Sequence, residues 1–443
     1  MINVLGTILA FTIVFGILVF VHEFGHFFMA KLVGVRVEVF SFGYGKRLFG
    51  FKKGDTDYRV SLLPMGGYVK LLGEGMFEKD RPVAPDDMMA KTRGQRILIM
   101  AMGSIMNIAL AVVIVAFMNV VGTDVPEYLD AEPVIGWIEP GSPAEAAGLR
   151  IDDEIVRIAG REVGTWSDVQ MAVGTRPDRL IRVEVRRDGE VLPFDLRTES
   201  VSRYQMGYAG FQAKILTQLD MVLDKSPAEK AGLEAGDVIL AIDGAPIYFY
   251  QFLDTVQRSA GQELLFTVAR NGETLQFPVT PRQEGEVGKI GVMQVPKSVV
   301  KKFAFFAAVG QAVQENLNNA FLVITFIRDL FTGEASTRQL GGPLEIANFS
   351  YAAFQMGWMA LLSWIALISL QLGILNLFPI PVLDGGQIFV LVIESIVRRD
   401  LGPKARQVWM TIGFVIFVFL IAFVILNDFV KRLPNGWGSL VPF

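Results

Sequence analysis

Four long uncharged stretches dominate this 443-residue sequence. They run from Ile2 to Val21, from Ile97 to Val121, from about Met356 to Leu377, and from about Val408 to Leu426. A helix needs about 20 apolar residues to cross the hydrocarbon core of a bilayer, so each stretch is long enough. The first stretch lacks the basic start and the small-residue cleavage site of a secretory signal peptide, which is the other interpretation of an apolar N-terminus. We therefore predict a polytopic α-helical membrane protein with four transmembrane helices.

The lysines and arginines near these stretches predict the orientation of the chain. Residues 31–96 carry thirteen basic residues, and the loop before the last stretch carries Arg398, Arg399, Lys404 and Arg406. No basic residue precedes the first stretch, and only Lys431 and Arg432 follow the last. Because basic loops stay in the cytoplasm, both termini and the long segment of residues 122–355 are expected outside it.

Composition limits the chemistry that the chain can perform. There is no cysteine, which excludes disulfides, thiolate zinc sites, iron–sulfur clusters and cysteine nucleophiles. The net charge of −4 gives no reason to expect a nucleic-acid partner. The chain has only two histidines, His22 and His26, so any imidazole chemistry must occur there.

The outer segment contains an internal repeat. Residues 142–160 (SPAEAAGLRIDDEIVRIAG) and 226–244 (SPAEKAGLEAGDVILAIDG) are identical at eleven of nineteen positions, at a constant offset of 84. That period is too long for a solenoid, so it predicts two tandem domains. The shared pattern resembles bacterial PDZ domains, which accept an extended peptide at a sheet edge. Peptide or periplasmic partners and a size-filter role without a bound peptide both remain open.

The two histidines form the motif His22-Glu23-Phe24-Gly25-His26, which matches H-E-x-x-H. On a helix, residues four apart share a face, so both imidazoles can bind one metal ion with Glu23 beside it. The alternative is a pair of histidines satisfied by ordinary hydrogen bonds. Ionisable residues at the end of an apolar span are costly and usually functional, which favours the metal site.

A zinc hydrolase site needs a third protein ligand, and in this chain it must be a carboxylate. The predicted topology puts Asp384, at the end of the third span, at the same membrane depth as the histidines. Two prolines and two glycines surround it (Pro379, Pro381, Gly385, Gly386), and such broken backbone is tolerated in a membrane only where it is buried or lines a cavity. The alternative is that Asp384 only caps the following helix.

The motif H-E-F-G-H, together with N-x-x-P-x-P-x-L-D-G-G from Asn376 to Gly386, resembles the site-2 protease family of intramembrane zinc metalloproteases. The resemblance covers nearly the whole chain, including residues 42–45, 65–69 and 341–343. It implies zinc (Zn²⁺) as cofactor, His22, His26 and Asp384 as its ligands, and Glu23 as the catalytic base. It also implies that Asn376 contacts the substrate backbone or the developing oxyanion.

The same resemblance implies the biological setting. The substrates would be transmembrane proteins within the lipid bilayer, namely an anti-sigma factor in envelope-stress signalling and remnant signal peptides. The protein would lie in the bacterial inner membrane, with the PDZ domains and both termini periplasmic. Two other functions remain open at this point: a metal transporter, and a catalytically silent scaffold that gathers partners through its PDZ domains.

The remaining segments complete the predicted organisation. Alternation in residues 35–39 and 58–62, each followed by a glycine-rich hairpin, predicts a membrane-associated β-element, and a plain cytoplasmic sheet is the alternative. Residues 301–330 are too mixed for a fifth span and favour an interfacial amphipathic helix pair. The predicted domains are residues 1–125 (two spans and the β-element), 126–211 and 212–296 (PDZ), 297–350 (amphipathic segment) and 351–443 (two spans).

Overall fold

The computed structural model describes residues 4–73, 83–201, 205–285 and 287–431. Arg432 and the rest of the C-terminal end of the predicted last domain lie outside these ranges. The chain forms two compact units. The first comprises the described parts of Met1–Gly122, Lys302–Asp329 and Leu340–Phe443, and we call it the membrane unit. The second comprises the described parts of Thr123–Lys301 and Leu330–Gln339, and we call it the outer unit.

The α-helices of the described residues are α1 (Val4–Leu32), α2 (Arg93–Val121), α3 (Pro143–Ala146), α4 (Trp166–Gly174), α5 (Pro227–Ala231), α6 (Phe249–Arg258), α7 (Phe305–Phe331), α8 (Pro343–Gln355), α9 (Trp358–Asn376), α10 (Asp384–Val397) and α11 (Pro403–Val430). Short 3₁₀ helices occupy Met88–Ala90, Glu127–Asp130 and Thr337–Gln339.

The strands are β1 (Val37–Lys53), β2 (Thr56–Leu71), β3 (Thr123–Pro126), β4 (Ile135–Ile138), β5 (Glu154–Ile158), β6 (Arg161–Glu162), β7 (Leu180–Arg187), β8 (Glu190–Arg197), β9 (Glu199–Val201), β10 (Met206–Tyr208), β11 (Phe211–Ala213), β12 (Thr217–Val222), β13 (Val238–Ile242), β14 (Ala245–Pro246), β15 (Leu264–Arg270), β16 (Glu273–Val279), β17 (Arg282–Glu284), β18 (Val287–Lys289), β19 (Val292–Pro296) and β20 (Ser298–Lys301).

Four helices of the membrane unit are long and apolar enough to cross a bilayer: α1, α2, α9 and α11. They coincide with the four stretches predicted from the sequence. Helices α1, α2 and α9 share a buried apolar cluster that includes Leu18, Ala111 and Leu370. Glycine permits close approach where α2 meets α9, since a Cβ on Gly373 would lie 2.9 Å from the Ser104 backbone oxygen.

The β-element of the membrane unit differs from the prediction in length. Two strands were expected, over 35–39 and 58–62, with a glycine-rich hairpin after each. Strands β1 and β2 are instead 17 and 16 residues long, and the turn between them lies at Gly54–Asp55. The predicted hairpin glycines lie within the strands, where the pairing shifts register and Gly43 adopts a positive φ of 89°. Glycine there bends a strand without ending it.

Residues 39–42 of β1 pair on one side with residues 57–60 of β2 and on the other with residues 67–70. The segment of residues 66–71 is therefore bonded to β1 along one side. Its other side is the edge from which the Val69 N–H contacts Glu23.

The region of residues 301–330 also differs from the prediction. A helix pair was expected there, but α7 is one helix of 27 residues. No proline interrupts residues 305–331, so the backbone hydrogen bonds continue without a break. The second helix of the region, α8, comes after this stretch, at residues 343–355.

In the outer unit, both repeats build the same series of elements. The sheet order β6-β5-β7-β8 of the first repeat corresponds to β14 and β13-β15-β16 of the second. Each repeat has a short helix that starts at Ser-Pro, with Ser142 or Ser226 capping it, and a longer helix, α4 or α6. Each repeat has its own buried core, the first around Trp166 and the second around Phe266. The two sequence repeats therefore form similar sets of strands and helices within the outer unit.

Candidate metal centre

The ends of two helices bring the sequence-predicted ligands together. Helix α1 presents His22 and His26 one turn apart, and α10 begins at Asp384. The Nε2 atoms of the two imidazoles are 3.2 Å apart. Asp384 Oδ2 lies 3.1 Å from His22 Nε2 and 3.4 Å from His26 Nε2. These three atoms form a nearly equilateral triangle.

That triangle fits a tetrahedral zinc ion. Bonds of about 2.0–2.1 Å in a tetrahedron place neighbouring ligand atoms about 3.3 Å apart. The chemistry also fits. His26 Nδ1 lies 2.8 Å from the Ile99 carbonyl oxygen, which can only accept, so Nδ1 carries the proton. With Nδ1 bonded to Ile99, the Nε2 atom of His26 faces the Asp384 carboxylate beside His22 Nε2, which is the donor set that a zinc ion prefers.

Asp384 does not act as a helix cap. The cap position of α10 is Leu383, and its side chain makes no capping bond. Asp384 is the first helical residue, and its carboxylate points to the histidines. The alternative of a capping role, considered from sequence, is therefore wrong. The two prolines and the glycines fold the chain tightly before α10: a Cβ on Gly386 would lie 2.1 Å from the Ile380 backbone oxygen.

Glu23 lies next to the ligands and is held by the β-element. The backbone N–H of Val69 donates to Glu23 Oε2 over 3.0 Å. Because the opposite side of residues 67–70 is bonded to β1, this contact puts the other edge of β2 against the H-E-x-x-H helix. The Glu23 carboxylate thereby lines the same cavity as His22, His26 and Asp384.

These groups line one cavity of about 220 Å³. Its lining residues are His22, Glu23, His26, Tyr68, Val69, Leu71, Met100, Asp384 and Gln387. Gln387 was missed by the sequence argument, although its position three residues after Asp384 on α10 places it on the same face. Asn376 is not among these lining residues. It ends α9, and residues 377–383 separate it from α10.

Two residues of α2 shape the centre without being predicted from sequence. The Ile99 carbonyl orients His26, as described. Gly103 makes room for both imidazoles, since a Cβ there would lie 2.4 Å from His26 Nε2 and 2.8 Å from His22 Cε1. A small residue in an apolar helix is a weak signal by itself, so only the helix crossing reveals this requirement.

Comparisons with known proteins show the family of the chain. The family model described as peptidase family M50 matches residues 10–420. The regulator of sigma-E protease RseP of Salmonella typhimurium is 33% identical over 97% of this chain and 99% of its own length. The Escherichia coli K12 protein of the same name is 32% identical, with the same coverage. A Neisseria meningitidis serogroup A protein, whose name describes a zinc metalloprotease, is 31% identical over 96% of this chain and 99% of its own.

The chain therefore belongs to peptidase family M50, the zinc-dependent metalloproteases of the site-2 type. Membership in a peptidase family favours the protease over the metal transporter and the silent scaffold. Among solved structures, a PDZ domain of an SdrC-like protein from Listeria monocytogenes is 23% identical, covering 19% of this chain and 90% of its own, with a TM-score of 0.17. That similarity is too low to carry a structural conclusion.

Proposed function

We propose that this membrane protease cleaves peptide bonds within or beside the transmembrane segments of single-span proteins. The observation that carries the proposal is the contact between Glu23 and Val69 beside the three predicted ligand atoms. A candidate general base, a candidate metal centre and one edge of β2 thus line a single cavity, which supports the proposal.

In the proposed mechanism, His22, His26 and Asp384 hold the zinc ion. When bound, zinc acidifies a water molecule and polarises the carbonyl of the bond to be cleaved. Glu23 would accept a proton from the attacking water and deliver it to the leaving amine. The Val69 N–H keeps the Glu23 carboxylate oriented.

The strand edge gives the substrate a place to bind as an extended chain. A transmembrane helix buries its carbonyls in i to i−4 hydrogen bonds, so it must unwind before hydrolysis. We propose that the edge of β2 beside residues 67–69 takes part in strand addition and so replaces part of the lost bonding, while the Val69 N–H stays on Glu23. Tyr68, Val69 and Leu71 line the cavity, so a peptide on this edge passes beside the metal centre. In this arrangement Asn376 would contact the substrate backbone or the developing oxyanion from the end of α9.

The placement in the cell follows from charge and from the relatives. The basic loops, including the β-element, are proposed to face the cytoplasm, and both termini and the outer unit the periplasm. The two repeats of the outer unit are proposed as tandem PDZ domains that restrict which substrates reach the membrane unit. The relatives named regulator of sigma-E protease support an anti-sigma factor as one proposed substrate. Remnant signal peptides are proposed from the family resemblance alone.

The test is cleavage of a transmembrane model substrate by the full-length protein in proteoliposomes. The Glu23→Gln variant should lose about 10²–10⁴-fold in turnover and keep its zinc, because glutamine cannot accept the proton. Glu190→Gln, on exposed strand β8, is the matched control and should cleave normally. Normal cleavage by Glu23→Gln, or wild-type protein free of zinc, would refute the mechanism.

A further inference from the structure

Helices α1 and α2 run antiparallel past each other with a regular register. At one end of the crossing, Ala30 and Ile99 belong to the same buried cluster. Three turns along, Leu18 and Ala111 belong to another. Moving twelve residues towards the N-terminus of α1, from Ala30 to Leu18, therefore matches moving twelve residues towards the C-terminus of α2, from Ile99 to Ala111. Positions on the two helices that face each other can be read from this rule.

The rule identifies the residue opposite the first histidine of the motif. Gly103 faces His26, because a Cβ built on Gly103 would lie only 2.4 Å from His26 Nε2. One turn further on, His22 of α1 is level with Asn107 of α2. Asn107 also lies on nearly the same face of α2 as Gly103, because the two are four residues apart.

Both groups at this level are buried and lack partners. The Nδ1 atom of His22 and both amide atoms of Asn107 have no hydrogen-bond partner among the described residues. Asn107 is fully buried, and the hydroxyl of Ser104, three residues earlier, is also unpaired within that part of the chain. Buried polar groups are nearly always satisfied, so this cluster of unpaired groups calls for an explanation.

The two histidines differ sharply in this respect. His26 already donates its Nδ1 proton to the Ile99 carbonyl, which leaves Nε2 free for the metal. Metal-binding histidines almost always donate their second N–H to such a partner, and the partner fixes both tautomer and ring orientation. His22 needs the same arrangement if its Nε2 is to remain a ligand.

We infer that Asn107 is the positioning residue of His22. Its carboxamide oxygen accepts the Nδ1 proton of His22, either directly after rotation of the side chain or through one buried water that Ser104 also binds. This holds the Nδ1–H tautomer and directs Nε2 to the metal. The inference rests on the proposed ligand role of His22.

The test uses full-length protein labelled with ¹⁵N-histidine. Because the chain has only two histidines, the spectrum contains only two pairs of ring nitrogens. In wild-type protein with zinc, both Nε2 signals should be metal-shifted and both Nδ1 signals should carry slowly exchanging protons. Asn107→Leu, which cannot accept a hydrogen bond, should accelerate proton exchange at His22 alone and weaken zinc binding about 10–100-fold.

Two further variants separate positioning from packing. Asn107→Asp keeps an acceptor oxygen and should restore both the protected His22 signal and the zinc affinity. Ser369→Ala removes a buried hydroxyl that donates to the Asn107 backbone oxygen over 2.8 Å, so it disturbs the same place without removing the carboxamide. It should leave the His22 signal and zinc affinity unchanged.

The outcomes distinguish this inference from the proposed function. If wild-type protein shows no metal shift at either histidine, the proposed metal centre itself is wrong. If both histidines bind zinc but Asn107→Leu changes neither His22 exchange nor affinity, only the Asn107 inference fails. Equal losses in Asn107→Leu and Asn107→Asp, with Ser369→Ala also impaired, would likewise overturn it in favour of packing.

Discussion

Buried carboxylates occur in both units, and their surroundings differ. In the outer unit, Asp153 and Asp237 occupy equivalent positions of the two repeats. Each receives two bonds from an arginine, Arg187 or Arg270, and one from a backbone N–H in its own loop. In both repeats the negative charge of the buried carboxylate is therefore balanced by an arginine of the same chain. The hydrogen bond to Asp237 also raises the pKa of the Arg270 guanidinium.

Asp384 of the membrane unit faces two imidazoles and has no arginine or lysine among its described ion-pair partners. The comparison teaches how to separate structure from function among buried acids. Where the protein supplies the cations and N–H donors itself, the carboxylate supports the fold. Where acceptors converge on a shared point, a ligand from outside the chain completes the arrangement.

The strongest test of this contrast is Gly103→Ala. The added Cβ cannot coexist with the present positions of His26 and His22, so the imidazoles or α2 must shift and the ligand geometry is disturbed. We expect zinc affinity to fall at least about 100-fold, measured by chelator competition. Gly94→Ala on the same helix is the control, because a Cβ there meets nothing within 4 Å. Equal zinc affinity in both variants would show that the ligand geometry is wrong.

A second test removes a compensated carboxylate. Asp237→Ala leaves Arg270 without its partner, and breaking a buried pair costs about 3–5 kcal/mol. The free energy of opening of β13 and β15, measured by hydrogen exchange in the full-length protein, should fall by that amount. Asp153→Ala should have a similar effect in the first repeat, with zinc affinity unchanged in both variants. A loss of zinc would contradict the separation of roles.

The third test concerns a buried acid of the membrane unit whose partners are backbone N–H groups and the buried Lys431, 3.5 Å away. Asp428, near the end of α11, accepts from the N–H groups of Gly342 and Leu344 at the start of α8, over 2.9 and 3.2 Å. Asp428→Asn weakens this cap, for which losses of about 0.5–2 kcal/mol are typical. Hydrogen exchange should accelerate in the first turn of α8 and leave α1 and α2 unaffected. Unchanged exchange in α8 would show that the cap does not hold this helix.

The smallest effect is expected at an exposed pair. Arg182 and Asp195 are bonded on the surface of the first repeat, and the hydrogen bond from Arg182 lowers the pKa of Asp195. A carboxyl with a lowered pKa stabilises the fold above its unfolded pKa, and this is lost as the pH falls through the folded value. Because the pair is exposed, Asp195→Asn should barely change thermal unfolding at pH 7. If Asp195→Asn destabilised the protein as much as Asp153→Ala, the claim that buried pairs contribute more stability than exposed pairs would be refuted.

The sequence predicted the elements whose signals are local. The four spans follow from length and hydropathy, the two repeats from residue identity, and His22, Glu23 and His26 from helical spacing. The proximity of Asp384 to the two histidines was predicted from membrane depth, because residues near the same ends of spans lie at similar depths in the bilayer. These arguments need no knowledge of side-chain packing.

The parts that sequence did not predict depend on contacts between distant segments. Nothing near Gly103 or Asn107 indicates that they face the histidines, because that depends on the register between α1 and α2. The length of β1 and β2 was underestimated because glycines were interpreted as hairpins, whereas tertiary pairing extends the strands through them. The bond from Val69 to Glu23 joins residues 46 positions apart, beyond any local pattern.

The central claim is that His22, His26 and Asp384 hold one zinc ion. Its most direct test is zinc K-edge X-ray absorption of the full-length protein, combined with metal analysis of the wild type and of His22→Ala, His26→Ala and Asp384→Ala. The account predicts one zinc per chain with two imidazoles and otherwise oxygen ligands in the wild type, and a marked loss of zinc in each variant. A stoichiometric zinc with an unchanged spectrum in all three variants would contradict it.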